Sequence, residues 1–301
     1  MLPNPEPTYL ATLPAELSAV IRIALKAGAL CHGYFKAWHE GDHDSPLAVE
    51  LKDGDEPVTL ADRKTNELCV SGLRAAFPED AILSEELPDD GSRHQAARVW
   101  LVDPIDGTKD FIAGRPGFAV MIGLLQGGQP TLGVVYQPAE QRLWFASSGL
   151  GAYLVLGDAP PVRMHTTSTA ELAAARMVSS ASHPEPMVAQ VKERAGIVHD
   201  QQIGSVGIKL ALIASGAADL YINPAGKCKL WDTGAPECIL HEAGGQLTDF
   251  VGQPLRYTDQ NLGHDRGLCA SNGALHPLAL QQLRPFADSI LRRSASKPQN
   301  P

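Results

Sequence analysis

The chain has 301 residues, with 25 Lys or Arg against 34 Asp or Glu, and so a formal net charge of −9. That balance argues against a non-specific nucleic-acid binder and against a cationic membrane-surface protein. The length suffices for one large domain or two ordinary ones whose cores need no staples, and the five scattered cysteines lack zinc or thioredoxin spacing, which points to a reducing compartment. No apolar run approaches about 18 residues, and the N-terminus lacks a charged-then-apolar leader, so a soluble, cytoplasmic protein is expected.

Pro14 suits a first helical turn, and Leu17, Val20, Ile21, Ala24, Leu25, Gly28 and Cys31 follow at helical spacing. A second helix over 62–76 gathers Leu68, Cys69, Leu73 and Ala76 on one face and stops before Pro78. Runs at 81–83 and 98–102 read as strands whose ends deliver carboxylates into loops. Strand-like runs at 118–126, 131–137, 143–146 and 151–156 predict an antiparallel meander. After the turn-rich 157–161, strands at 176–180, 196–199, 218–222 and 267–270 alternate with helices near 185–194, 206–215, 233–243 and 274–293. The expected division is an N-terminal α+β domain (1–160), a C-terminal α/β domain (161–293) and a frayed polar tail (294–301).

Acidic residues fall where the apolar strands end. Asp103-Pro104-Ile105-Asp106-Gly107-Thr108 sets two carboxylates three residues apart, Glu85-Glu86 ends the preceding strand, and Trp231-Asp232-Thr233 adds one at a helix start. Singly, each has a plain structural reading as a turn, a cap or a solvated pair. If Asp62, Glu85, Asp103, Asp106 and Asp232 converge, any two of them 6 Å apart repel by about 3 kcal/mol at an effective dielectric near 20, which calls for counter-charge. Oxygen donors without His or Cys favour Mg²⁺ over zinc and point to metal-assisted phosphate chemistry. There is no Walker loop, no dinucleotide fingerprint and no second histidine after His241-Glu242.

These motifs, with Glu242-Ala243-Gly244-Gly245, resemble the signatures of the lithium-sensitive, magnesium-dependent inositol monophosphatase superfamily over roughly residues 15–275. Thr108-Lys109-Asp110-Phe111, Lys209 and the stretch 226–237 are most similar to its 3′(2′),5′-bisphosphate nucleotidase branch, which converts adenosine 3′,5′-bisphosphate (PAP) to AMP. The resemblance implies a layered αβαβα fold, an N-terminal antiparallel sheet domain and a C-terminal α/β domain with the site between them. It implies Glu85, Asp103, the Ile105 carbonyl, Asp106 and Asp232 as ligands of two or three Mg²⁺ ions, with Asp62 and Thr108 activating the attacking water. Substrate contacts fall on Gly107, Thr108, Ser180, His183, Ser205 and Lys209, the last facing the 5′-phosphate.

The implied partner is a small nucleotide, PAP or its 5′-phosphosulfate analogue PAPS, with no nucleic acid or membrane, on a monomer or homodimer serving sulfate assimilation. Inositol 1-phosphate or another sugar phosphate is the rival substrate. A non-catalytic divalent-cation-binding domain is the rival of a different class. The segment 89–97 reads as an inert surface loop or a flap beside the site.

Overall fold

The computed structural model describes residues 7–40, 49–52, 56–181, 185–224 and 226–295. In chain order the elements are α1 (Ala15–His39), β1 (Glu50–Lys52), β2 (Glu56–Val58), α2 (Leu60–Ala76), β3 (Ala81–Ser84), β4 (Arg98–Asp106), α3 (Thr108–Ile112), β5 (Ala119–Gln126), β6 (Gln129–Gln137), β7 (Arg142–Ser147), β8 (Gly151–Leu156) and β9 (Val162–Arg163). They continue with β10 (Arg176–Ser180), α4 (Pro186–Ala195), β11 (His199–Ile203), α5 (Val206–Ala214), β12 (Leu220–Asn223), α6 (Leu230–Glu242), β13 (Gln246–Thr248), β14 (Leu268–Ser271) and α7 (His276–Ala295). A seven-stranded sheet runs β3 to β9 in sequence order, antiparallel except for the parallel β3–β4 pair. A five-stranded sheet has the order β11-β10-β12-β14-β13, with β10 parallel to β11 and β12.

Period-two alternation decides the layering. Trp100, Val102, Ile122, Val134 and Phe145 face α1 and α2, while Leu101, Met121, Val135 and Trp144 face the opposite way, onto α5 and α6. In the second sheet Val178, Tyr221 and Ala270 join that same middle cluster, whereas Met177, Leu220, Ile222 and Cys269 pack with α4 and α7. The result is five layers, αβαβα. Every residue of α5 is buried, as a helix sandwiched between two sheets requires.

Several expectations shift. The turn-rich 157–161 connects β8 to β9 inside the first sheet, so the passage between sheets comes later, between Arg163 and Arg176. The two sheets share one apolar cluster. The strand expected at 196–199 begins at His199, because Gly196 adopts a left-handed conformation (φ 69°) that closes α4. Helix α6 begins at Leu230, ahead of the expected 233. Strands β1, β2, β9 and β13 are too short to stand out as periodic runs. Helix α7 runs to Ala295, so the first two residues of the expected frayed tail are helical; residues 296–301 lie outside the described residues.

Helix α6 sits unusually close to the first sheet. Gly123 and Gly133 are cross-strand partners, and a Cβ on either would lie 2.7 Å from the Ala235 nitrogen or 2.0 Å from the Ala235 oxygen. A side chain here would lift the helix and everything at its N-terminus. Gly133→Ala is expected to destabilise by about 1–3 kcal/mol in urea unfolding. Gly33→Ala, in α1 with no atom within 4 Å of the new methyl, should be neutral or mildly stabilising.

Candidate active site

Two carboxylates three apart on a regular strand would point to opposite faces. In β4 they do not, because Asp103 pairs with Met121 and Asp106 with Ala119, so three steps on one strand match two on the other. This bulge, placed where Pro104 has no N–H to contribute to the ladder, turns Asp103 and Asp106 toward the same side. The acids therefore sit within the strand's irregular end rather than in the loop expected after Val102. Parallel pairing of Ser84 with Val102, extended by the Glu85 N–H donating to the Val102 carbonyl (3.1 Å), sets Glu85 beside Asp103. Asp232 arrives from the first turn of α6, where its carboxylate accepts the Lys229 N–H at 2.8 Å.

Glu85, Asp103, Ile105, Asp106 and Asp232 all line one cavity of about 310 Å³. Burial, then Glu85, Asp106 and Asp232, push the Asp103 carboxyl well above its ordinary range; burial, then Asp106 and Glu85, do the same to Asp232. Burial also raises Asp106, but Lys209, Ser205 and the amides at the start of α5 pull the other way. Asp106 Oδ2 accepts from Ser205 Oγ at 2.5 Å and from the Gly207 N–H at 2.7 Å. That oxygen is thus held by a helix N-terminus.

Asp62 and Thr108 are brought together. Thr59 caps α2, its N–H and hydroxyl donating to Asp62 Oδ2 at 2.7 and 2.5 Å, which leaves Oδ1 to meet the Thr108 hydroxyl at 3.2 Å. The same hydroxyl lies 3.0 Å from the Ile105 carbonyl, so its single proton chooses between two acceptors. Gly107 opens α3 at φ 99°, where a Cβ would fall 2.5 Å from the Gly117 carbonyl. Only glycine fits that approach.

The expected nucleotide contacts divide. Ser180 lines the cavity at the end of β10. His183 lies outside the described residues. Ser205 is fully buried, its hydroxyl donating to Asp106 and accepting the Ile208 N–H at 3.0 Å, so it caps α5 and fixes a carboxylate. Lys209 is 1% exposed; its ammonium donates to the Ile203 and Gly204 carbonyls at 3.0 and 2.8 Å and lies 5.1 Å from the Tyr221 ring centre. Burial lowers its pKa, and the nearby Asp106 opposes that.

Asp110 carried no assigned role in the sequence, yet it joins the halves: its Oδ1 takes the Arg115 guanidinium and its Oδ2 the Gly204 N–H at 3.0 Å. The five-residue spacing to Arg115 is the only trace of this in the sequence.

The inositol monophosphatase family model matches residues 15–286. The chain belongs to the inositol monophosphatase family. It is 35% identical over 242 residues to a histidinol-phosphatase of Mycobacterium tuberculosis, covering 79% of this chain and 88% of that one. It is 35% identical over 229 residues to the 3′(2′),5′-bisphosphate nucleotidase CysQ of Escherichia coli, covering 72% of this chain and 86% of that one. An IMPase of Thermotoga maritima superposes with a TM-score of 0.76 at 26% identity, over 92% of this chain and all of that one.

The donor set fits the divalent metal that membership of the inositol monophosphatase family implies: all oxygen, buried at Asp103, Ile105 and Asp106 and half-buried at Glu85 and Asp232, and crowded with like charge. Among the described residues no three His, Cys, Asp or Glu side chains are arranged to hold an ion as they stand. Asp103 is hydrogen-bonded to Glu85 and to Asp232, as neighbouring carboxyls are when they share protons. Because these folded-state pKa values are raised, the cation-free protein binds more protons folded than unfolded, and its stability falls as pH climbs above the ordinary carboxylate range. At a pH above the raised range, where Asp103 would be ionised, Asp103→Asn removes one repelling charge. It is expected to stabilise the cation-free fold by about 1–3 kcal/mol while reducing the gain in Tm on adding Mg²⁺, both read by thermal melts.

Proposed function

We propose that this protein is a Mg²⁺-dependent phosphatase that removes the 3′-phosphate of PAP to give AMP. The observation that carries the reading is the Asp62–Thr108 hydrogen bond beside the convergent carboxylates, a pairing for which a passive cation store has no use. Glu85, Asp103, the Ile105 carbonyl, Asp106 and Asp232 would hold the metal. When bound, it supplies a water of lowered pKa and charge stabilisation for the leaving oxygen.

The chain's own groups do the rest. Thr108 Oγ1 accepts the proton of the attacking water while donating its own to Asp62 Oδ1, and the Thr59 cap keeps that carboxylate aimed. Gly107 leaves its backbone bare, so phosphate oxygens approach the amides that open α3. Lys209 gives two of its three N–H bonds to carbonyls, and the third serves an anionic group in the cavity. A buried ammonium that lines the cavity favours a substrate with a second phosphate placed to meet it. The similarity to CysQ of E. coli and to a 3′-phosphoadenosine 5′-phosphate phosphatase of Mycobacterium leprae, 35% identical over 227 residues, supports this substrate.

Phosphate release from PAP, PAPS, histidinol phosphate and inositol 1-phosphate, with Mg²⁺ present, omitted or opposed by Li⁺, tests the assignment. PAP should be turned over best and only with Mg²⁺; faster release from either single-phosphate substrate would refute it. Thr108→Ala and Asp62→Asn should each lower kcat about 10²–10⁴-fold with KM for PAP little changed.

A further inference from the structure

Residues 89–97 neither float as a flap nor lie inert on the surface. The Arg93 side chain is only 4% exposed. Its Nε donates to Asp89 Oδ2 at 2.7 Å, and its two terminal nitrogens reach across to the backbone carbonyls of Asp259 and Gln260 at 2.9 and 3.2 Å. Asp89 is itself fixed by the Gly91 N–H at 3.0 Å; burial works to raise its carboxyl, but Arg93 and Gly91 outweigh that and hold it below the usual range. A planar guanidinium suits this three-way grip better than an ammonium could.

What Arg93 grips is a strap, residues 255–265, lying over the start of α6. The Leu230 N–H donates to the Leu262 carbonyl at 2.9 Å and the His264 N–H to the Cys228 carbonyl at 2.8 Å, with Lys229 and Gly263 paired between them. Side chains continue the contact inward. His264 Nε2 lies 2.7 Å from Thr233 Oγ1, which lies 3.0 Å from Tyr257 Oη, and Tyr257 donates to Glu237. Strap and helix thus meet on both sides of Asp232.

We propose that Arg93 is a positioning residue: through the 255–265 strap it fixes Asp232 relative to Glu85, the acid that precedes its own loop. The cluster's charges repel, so each acid needs a separate mechanical restraint. Asp106 has α5 and Asp62 has Thr59; Asp232 has the Lys229 N–H, and Lys229 is itself paired with Gly263 of the strap. Glu85 and Asp232 are 147 residues apart in sequence, and the Arg93 fork joins the segment following one to the segment packed on the other. The inference rests on the reading of Asp232 as a metal ligand.

The test is Mg²⁺ titration by calorimetry on the full chain, for wild type, Arg93→Ala, Tyr257→Phe and the double variant. Each single change should weaken Mg²⁺ binding about tenfold, the scale for residues that orient a ligand. The double should fall short of the product of the two, because both cut one chain of contacts. Hydrogen exchange across 257–264 should quicken in Arg93→Ala and slow again at saturating Mg²⁺, as linkage demands. If Arg93→Ala binds Mg²⁺ as wild type does, even with a lower Tm, the loop merely props the fold and the proposal is overturned. Tyr257→Phe, which deletes a single oxygen, carries the same test should Arg93→Ala not fold. A wild type that binds no Mg²⁺ overturns the metal reading and this inference together, so the two failures are told apart.

Discussion

Mutual repulsion among buried carboxylates is the constraint to which the rest of the site answers. Asp103 and Asp106 are nearly removed from water, and they line one cavity with the half-buried Glu85 and Asp232. Left alone, such charges would push their strands and helices apart or stay protonated. The fold opposes this with restraints placed singly. The β4 bulge aims two acids, the α5 N-terminus holds one oxygen of Asp106, and the Lys229 N–H and the strap hold Asp232. The proposed function gives this crowding its use, since a divalent cation would relieve it.

The layered architecture explains why distant segments can be held so closely. Helices α5 and α6 lie between two sheets, and the paired glycines of β5 and β6 let α6 settle onto bare backbone. Asp232 is therefore placed by the first sheet although it follows the second sheet's strands in sequence. The Gly107 turn and the Asp110 contact with Gly204 add further seams between the halves.

The sequence was legible where one residue type has one physical use. Apolar runs of period two and helical spacing located most long elements, and acids at strand ends marked the cavity wall. It was opaque where a role depends on a partner far along the chain. That the Ser205 hydroxyl donates to Asp106 has no trace in the sequence. The burial of Lys209 shows only once α5 is found sandwiched. Beyond Asp89 four residues before it, nothing local distinguishes Arg93 from any loop arginine, since its other two acceptors are backbone carbonyls more than 160 positions away, which no side-chain pattern reveals. The bulge, too, is invisible as such, though Pro104 between two acids is its mark.

The bond from Ser205 and Gly207 to Asp106 has a mechanical meaning. It ties the N-terminus of α5 to the very carboxylate that lines the cavity, so spreading the halves like a clam shell would drag that acid out of register. Any relative movement of the two sheets and the aim of that one oxygen are therefore a single degree of freedom.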